Sequence, residues 1–313
     1  MTFAFTFPGQ GSQAVGMGQA LAEASVHARE VFQEVDDALE QHLSKLMWEG
    51  PIEDLTLTEN AQPALMAVSM AAMRVLEKEG GLNLADKAMF VAGHSLGEYS
   101  ALAAAGAFSL SDTAKLLKLR GQAMQRAVPV GEGAMAAVLG LDLDVAQEVA
   151  AEAAQGEVCT AANDNAPGQI VLSGSVAAIE RAIILAKEKG AKRSMRLPVS
   201  APFHCALMEP AEREMQAALA DIAMSAPCVP VVANVVAEAE SDPDVIRGLL
   251  VRQVTGAVRW RESVLYMGDQ GVSTLVEVGA GKVLMGMARR INRELETFAV
   301  QGPDDIEALL KAL

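Results

Sequence analysis

Ala88-Met89-Phe90-Val91-Ala92 runs directly into Gly93-His94-Ser95-Leu96-Gly97, and an alanine-rich segment from Glu98 to Ala105 follows. The apolar run reads as a strand and the alanine-rich segment as a helix, so the pentapeptide between them is a sharp strand-to-helix turn. Such a turn lifts its serine out of the sheet, and the flanking glycines leave the approach of a substrate carbonyl open. This is the geometry of an acyl-transfer nucleophile. The simpler alternative is a packing turn in which Ser95 only caps the helix.

Working outward, the strand Phe3 to Phe7 breaks at Pro8-Gly9-Gln10-Gly11-Ser12-Gln13, a loop too rich in glycine for regular structure. Helical patterns follow, with Asn60 as the expected N-cap of a helix from Pro63 to Glu79. Beyond the elbow a helix enters at Ser111-Asp112 and runs toward Gln125, which completes an α/β layout on a parallel sheet. At Pro129 to Gly133 the pattern changes. Strands at Ala134–Leu139, Val158–Ala162, Gln169–Ser173 and Lys192–Leu197 alternate with helices at Leu143–Ala154 and Val176–Lys189. That order is βαββαβ, the ferredoxin-like unit.

From Pro198 the longer alternation returns, with helices at Leu207–Ile222, Asp244–Gln253, Trp260–Met267 and Pro303–Lys311 and strands at Val229–Ala233 and Thr274–Val278. The expected fold is α/β: a large α/β-hydrolase-like domain on a parallel sheet, residues 1–128 and 199–313, carrying an inserted small ferredoxin-like domain, residues 129–198. A substrate cleft belongs between them, with Ser95 and His204 on either side of the insertion.

Composition narrows the chemistry. A formal charge of −15 argues against nucleic acid, because phosphate contacts need clustered positive charge. The one basic cluster comprises Lys187, Lys189, Lys192, Arg193 and Arg196. No run of 18 apolar residues suggests a membrane span, and the N-terminus lacks a basic leader, so a cytoplasmic protein is expected. Cys159, Cys205 and Cys228 show no metal spacing and read as free thiols, Cys205 as a small buried residue rather than a nucleophile. Gly279-Ala280-Gly281-Lys282 follows a strand but has neither the Walker spacing nor the dinucleotide fingerprint, so no nucleotide, metal or other cofactor is expected.

A serine hydroxyl needs a base within hydrogen-bond reach. His27 and His42 lie on polar helical stretches, and His94 should point away from its neighbour, either free of the pocket or forming its wall. His204, at the end of an irregular Pro-containing loop, is the best base. In an ordinary α/β-hydrolase an acid follows the serine and the histidine lies near the C-terminus, whereas more than a hundred residues follow His204.

The motifs Phe7-Pro8-Gly9-Gln10-Gly11-Ser12-Gln13, Thr58-Glu59-Asn60-Ala61-Gln62-Pro63, Gly93-His94-Ser95-Leu96-Gly97-Glu98, Arg120, Ser200-Ala201-Pro202-Phe203-His204 and Glu277-Val278-Gly279 occur in one order along the chain. With them the sequence resembles the malonyl-CoA:acyl-carrier-protein transacylases of type II fatty acid synthesis over essentially its whole length. The resemblance implies that Ser95 is acylated, that His204 is its general base and acid, and that the Gln253 backbone carbonyl orients His204. It also implies an oxyanion hole from the N–H groups of Gln10 and Leu96. Arg120 is then the residue that reads the free carboxylate of a malonyl group, unless it pairs with a surface Glu instead. Phe203 would crowd an α-methyl group. Cys205-Ala206 and Gly256-Ala257 depart from the family's usual pattern, the second near the loop that would orient His204.

The expected partners are malonyl-CoA and holo acyl carrier protein, with neither nucleic acid nor membrane and with a monomer as the expected state. Carrier proteins are typically acidic, so Lys187, Lys189, Lys192 and Arg193 are candidates for docking one, against the alternative of a solvated helix end. A polyketide-serving acyltransferase, a malonate decarboxylase subunit, a serine esterase or thioesterase and a non-catalytic carrier-binding protein are the competing functions.

Overall fold

The computed structural model describes residues 2–199 and 201–313. Among the described residues ten strands form two sheets. β1 is Phe3–Phe7, β2 Ala88–Gly93, β3 Gly133–Leu139, β4 Cys159–Ala166, β5 Gln169–Ser175, β6 Arg193–Arg196, β7 Val231–Ala233, β8 Glu238–Glu240, β9 Thr274–Val278 and β10 Glu296–Val300.

The larger sheet has the order β10-β9-β1-β2-β7-β8, parallel except for β8, which runs antiparallel to β7. All five residues of β1 are buried because helices cover both faces. Strand alternation assigns the sides: Phe3, Phe5 and Phe7 join the core beneath helices 26–39, 58–78 and 110–127, and Ala4 joins the core beneath helices 260–269 and 283–291. With so few aromatics, these cores are filled largely by Ala, Val, Leu and Met.

The smaller sheet is antiparallel with the order β4-β5-β3-β6, and helices Leu143–Ala154 and Val176–Glu188 cover one face. This is the expected βαββαβ order. Its other face, with Met135, Ala162 and Val171, packs against Leu197, Val199 and Phe203 over the end of the larger sheet. The far half of β4 is stitched to the larger unit: Asp164 N donates to Val258 O at 3.0 Å, Val258 N to Ala162 O at 2.9 Å, and Asp164 pairs with Arg261 at 2.8 Å.

Several local expectations are corrected. The helix after the first loop begins at Thr58, not Pro63, with Leu57 at its N-cap. Asn60 is therefore inside the first turn, where its side chain accepts from Lys118 and Gln41 and donates to Asp54 O. The next long helix begins at Leu110 and is capped by Ser109, whose hydroxyl accepts from Asp112 N at 3.0 Å. The strand expected from Val229 begins at Val231, after Pro230, which has no N–H to place in a ladder. Helix Val283–Ile291 and strands β8 and β10 were not anticipated, β8 and β10 being short edge strands that carry polar residues.

Candidate active site

The elbow sits at the C-terminal end of β2, in the interior of the parallel sheet, where open α/β sheets present their ligand crevices. Its shape is enforced by close backbone approach. A Cβ on Gly93 would lie 1.9 Å from the Gly97 carbonyl carbon, and one on Gly97 would lie 2.2 Å from Phe7 O. Ser95 itself has φ 53°, a conformation that L-residues other than Asn and Asp seldom adopt. Asn234, beyond β7, holds it there: its Oδ1 accepts from Ser95 N at 2.8 Å and its Nδ2 donates to Gly93 O at 2.7 Å. Helix Gly97–Ala104 starts immediately afterward, so Ser95 stands at the strand–helix junction rather than serving as the helix cap.

Ser95 Oγ lies 2.7 Å from His204 Nε2. The opposite ring nitrogen, Nδ1, is 2.8 Å from Gln253 O and 3.2 Å from Gly256 O. Two carbonyl acceptors require Nδ1 to carry the proton, which leaves Nε2 as the acceptor facing the serine. Burial, reinforced by the Arg120 charge, pushes the imidazole pKa down to about 3 and keeps the ring neutral. The Gly256-Ala257 departure does not leave this loop loose, since Gly256 N donates to Arg252 O at 2.8 Å and Arg259 N to Asn234 O at 3.0 Å.

Arg120 is buried, and among the described residues its partners are uncharged: Gln62 Oε1 at 2.8 Å, Gln253 Oε1 at 2.9 Å and Ser95 Oγ at 3.2 Å. Its guanidinium also stands 5.6 Å from the Tyr99 ring centroid. The alternative of a surface Glu partner is not what the fold adopts. The side chain is aimed at Ser95 Oγ.

Ser95, His204, Arg120 and Gln62 line a cleft of about 440 Å³ together with Gln10, Leu96, His94, Phe203, Asn163 and Asn165. Among the described residues the backbone N–H groups of Gln10 and Leu96 reach no protein acceptor. His94 forms part of the wall, with Nε2 2.8 Å from Asn165 Oδ1, so of the two placements open to it the fold takes the second. Ser200, in the motif before His204, lies outside the described residues.

The remaining sequence candidates separate from the cleft. Lys187, Lys189, Lys192 and Arg193 are all exposed at the edge of the small sheet, and Lys189 is partly offset by Glu148 and Glu152 at 4.0 and 3.9 Å. Cys205 is buried with its thiol 3.2 Å from Pro202 O. After β9, the N-terminus of helix 283–291 is filled from within: the Glu277 carboxylate accepts from Leu284 N and Met285 N at 3.1 and 2.8 Å, where a phosphate would otherwise sit.

Reading the residues alone left Asn234, Glu98, Gln62, Tyr99 and Asn165 without roles. Gln62 and Glu98 fall inside quoted motifs near the starts of their helices, where polar residues are common and mark no particular role. Asn234 follows the Val-Val-Ala strand and carried no signal of its own.

The acyl transferase domain family matches this chain over residues 4–302. The malonyl CoA-acyl carrier protein transacylase of Escherichia coli (strain K12) is 47% identical over 309 residues, 99% of each chain. Among solved structures, an acyl-carrier-protein-S-malonyltransferase from Bartonella henselae superposes with a TM-score of 0.98 at 57% identity, covering 100% of this chain and 99% of its own. A type II PKS acyl-carrier protein in complex with its malonyl-transacylase gives 0.97 at 42% identity, covering 100% of both.

Proposed function

The chain belongs to the acyl transferase domain family, and we propose that it moves a malonyl group from malonyl-CoA to the phosphopantetheine thiol of acyl carrier protein through malonyl-Ser95. The observation that carries this reading is the convergence of neutral His204 and buried Arg120 on Ser95 Oγ, each within hydrogen-bond distance of that oxygen.

In the first half-reaction Ser95 Oγ attacks the thioester carbonyl while His204 Nε2 takes the hydroxyl proton. The carbonyl oxygen becomes an oxyanion, and the N–H groups of Gln10 and Leu96 are the donors proposed to receive it. One such donor is typically worth about 10² to 10³ in rate. Collapse breaks the C–S bond, and His204 returns the proton to the departing CoA sulfur. The second half reverses the order: His204 takes the proton of the carrier thiol, the sulfur attacks malonyl-Ser95, and the proton goes back to Ser95 Oγ.

Gln253 serves through its carbonyl, which fixes the His204 tautomer as a carboxylate does in a triad but without a full charge to stabilise imidazolium. Arg120 pairs with the malonyl carboxylate, and a site built around such a missing partner discriminates by about 10⁴ against acetyl. Phe203, on the cleft wall, limits bulk at the α-carbon.

The small sheet, residues 129–198, is proposed as a domain whose exposed Lys187, Lys189, Lys192 and Arg193 receive the acidic carrier. Fatty acid synthesis is the proposed pathway, and a monomer in the cytoplasm the proposed state. Among the described residues no helix is long and apolar enough to cross a membrane.

Intact mass spectrometry tests the reaction. Malonyl-CoA is added first, then holo carrier protein, with Ser95→Ala alongside. A malonyl adduct that requires Ser95 and passes to the carrier supports the transferase. An adduct lost to water with no carrier product supports a thioesterase instead, and preference between fatty-acid and polyketide carriers separates the two transferase pathways.

A further inference from the structure

A guanidinium cannot shed its proton in a protein, so a buried one needs compensation for its charge. Arg120 is 1% exposed, and its hydrogen-bond acceptors, Gln62 Oε1, Gln253 Oε1 and Ser95 Oγ, are all neutral. One carboxylate lies just behind them. Glu98 is fully buried, and its Oε2 accepts from Gln253 Nε2 at 3.0 Å and from Asn234 N at 2.8 Å.

The Gln253 amide therefore sits between two charges with each end matched: N–H toward the carboxylate, C=O toward the guanidinium. A polarised amide in a dry interior transmits part of that interaction. The reverse orientation would set Gln253 Nε2 against the guanidinium and Oε1 against the carboxylate, whereas in this one Nε2 also donates to Ser95 O at 3.0 Å. A carboxylate in direct contact with Arg120 would occupy the fork that a substrate carboxylate needs. At one remove it does not, and the fork carries only neutral acceptors, Gln62 Oε1, Gln253 Oε1 and Ser95 Oγ.

We propose that Glu98 is a positioning residue and the resident counter-charge of Arg120, held one amide away so that the guanidinium stays open to the acyl carboxylate. The inference rests on the reading of Arg120 as the partner of that carboxylate. Its consequence is a shared charge. When the malonyl group arrives, its carboxylate and Glu98 divide one guanidinium between them, so the acyl group is held for recognition without being trapped, and it can be passed on. Burial pushes the Glu98 carboxyl up to about 7, against the pull of its two donors and of Arg120, so at pH 8 it is mostly ionised.

Glu98→Gln keeps an acceptor oxygen for both donors and removes the charge. At pH 8 the KM for malonyl-CoA is expected to fall about 10-fold, while loading from acetyl-CoA, which brings no carboxylate, changes less than about twofold. The free variant melts below the wild type, and malonyl loading restores its midpoint while acetyl loading does not.

Equal changes for malonyl and acetyl, or no change for either, overturn the proposal by reducing Glu98 to a structural acceptor. A wild-type protein that takes no malonyl group overturns the underlying reading of the site, an outcome visible before any variant is made. If Glu98→Gln alone fails to fold, Glu98→Gln/Arg120→Gln decides the matter. Removing both charges restores folding if the two are a pair and leaves it lost if they are not.

Discussion

The floor of the cleft and the exposed rim of the small sheet, which lies apart from it, are built on opposite terms. At the floor, Ser95 is held by Asn234 and faces His204 at 2.7 Å, with Gly93 and Gly97 pressed against backbone on all sides. At the rim, on edge strand β6 and the helix end before it, Lys187, Lys192 and Arg193 stand in solvent on a chain of net charge −15. Bond making needs atoms held to fractions of an ångström, whereas attraction of an acidic partner needs only the sign and placement of charge. The same chain supplies both by spending its tight packing on one end of the parallel sheet and leaving the antiparallel edge exposed.

Substitutions at the floor should therefore act on chemistry, and substitutions at the rim on association. The largest effect is expected for His204→Ala, which removes the base proposed for Ser95: malonyl loading measured by stopped-flow should fall about 10⁴-fold while the fold is retained. Arg120→Ala comes next. Malonyl over acetyl selectivity should drop about 10³-fold.

The same variant carries a pH signature. Burial first, and the Arg120 charge second, hold the His204 imidazole down to about 3, so the wild-type loading rate at saturating malonyl-CoA should stay flat as pH falls from 8 to 5. Removing Arg120 removes the nearby positive charge that, after burial, most disfavours imidazolium, so the acid limb should move upward; a limb that stays put would separate Arg120 from His204 electrostatically.

Gly97→Ala sharpens the contrast through stability. Its new Cβ meets Phe7 backbone at 2.2 Å, and a loss of about 3 kcal/mol is expected in urea unfolding. The smallest effect belongs to the rim. Lys192→Glu with Arg193→Glu should raise the KM for carrier protein about 10-fold at low salt, less at high salt, and leave loading from malonyl-CoA unchanged. Should loading fall as well, the rim would not be separable from the floor.

Much of this arrangement is legible locally. An apolar run, glycines around a serine and an alanine-rich segment identify the elbow, because a strand-to-helix turn has few sequence solutions. The βαββαβ order is readable from alternating periodicities between Gly133 and Arg196. Helix Val283–Ile291 hid behind the Gly279–Lys282 loop, and β10, with Glu296 and Thr297 at an edge, lacks the apolar run of a central strand. The helix start at Thr58 was obscured because Pro63 looks like a first-turn residue, although it stands inside the helix.

The sequence by itself determined the two kinds of sheet and singled out the elbow serine and the histidine that meets it, since these rest on period, turn chemistry and the scarcity of histidine. Only the tertiary structure decided what surrounds them. Asn234 reaches Ser95 across 139 positions of chain, Gln253 reaches Glu98 across 155, and Arg120 finds Gln62 and Gln253 rather than a surface carboxylate. Such partners carry no local signal, because a buried polar group is satisfied by whichever acceptor the fold brings within about 3 Å, and sequence distance plays no part in that choice.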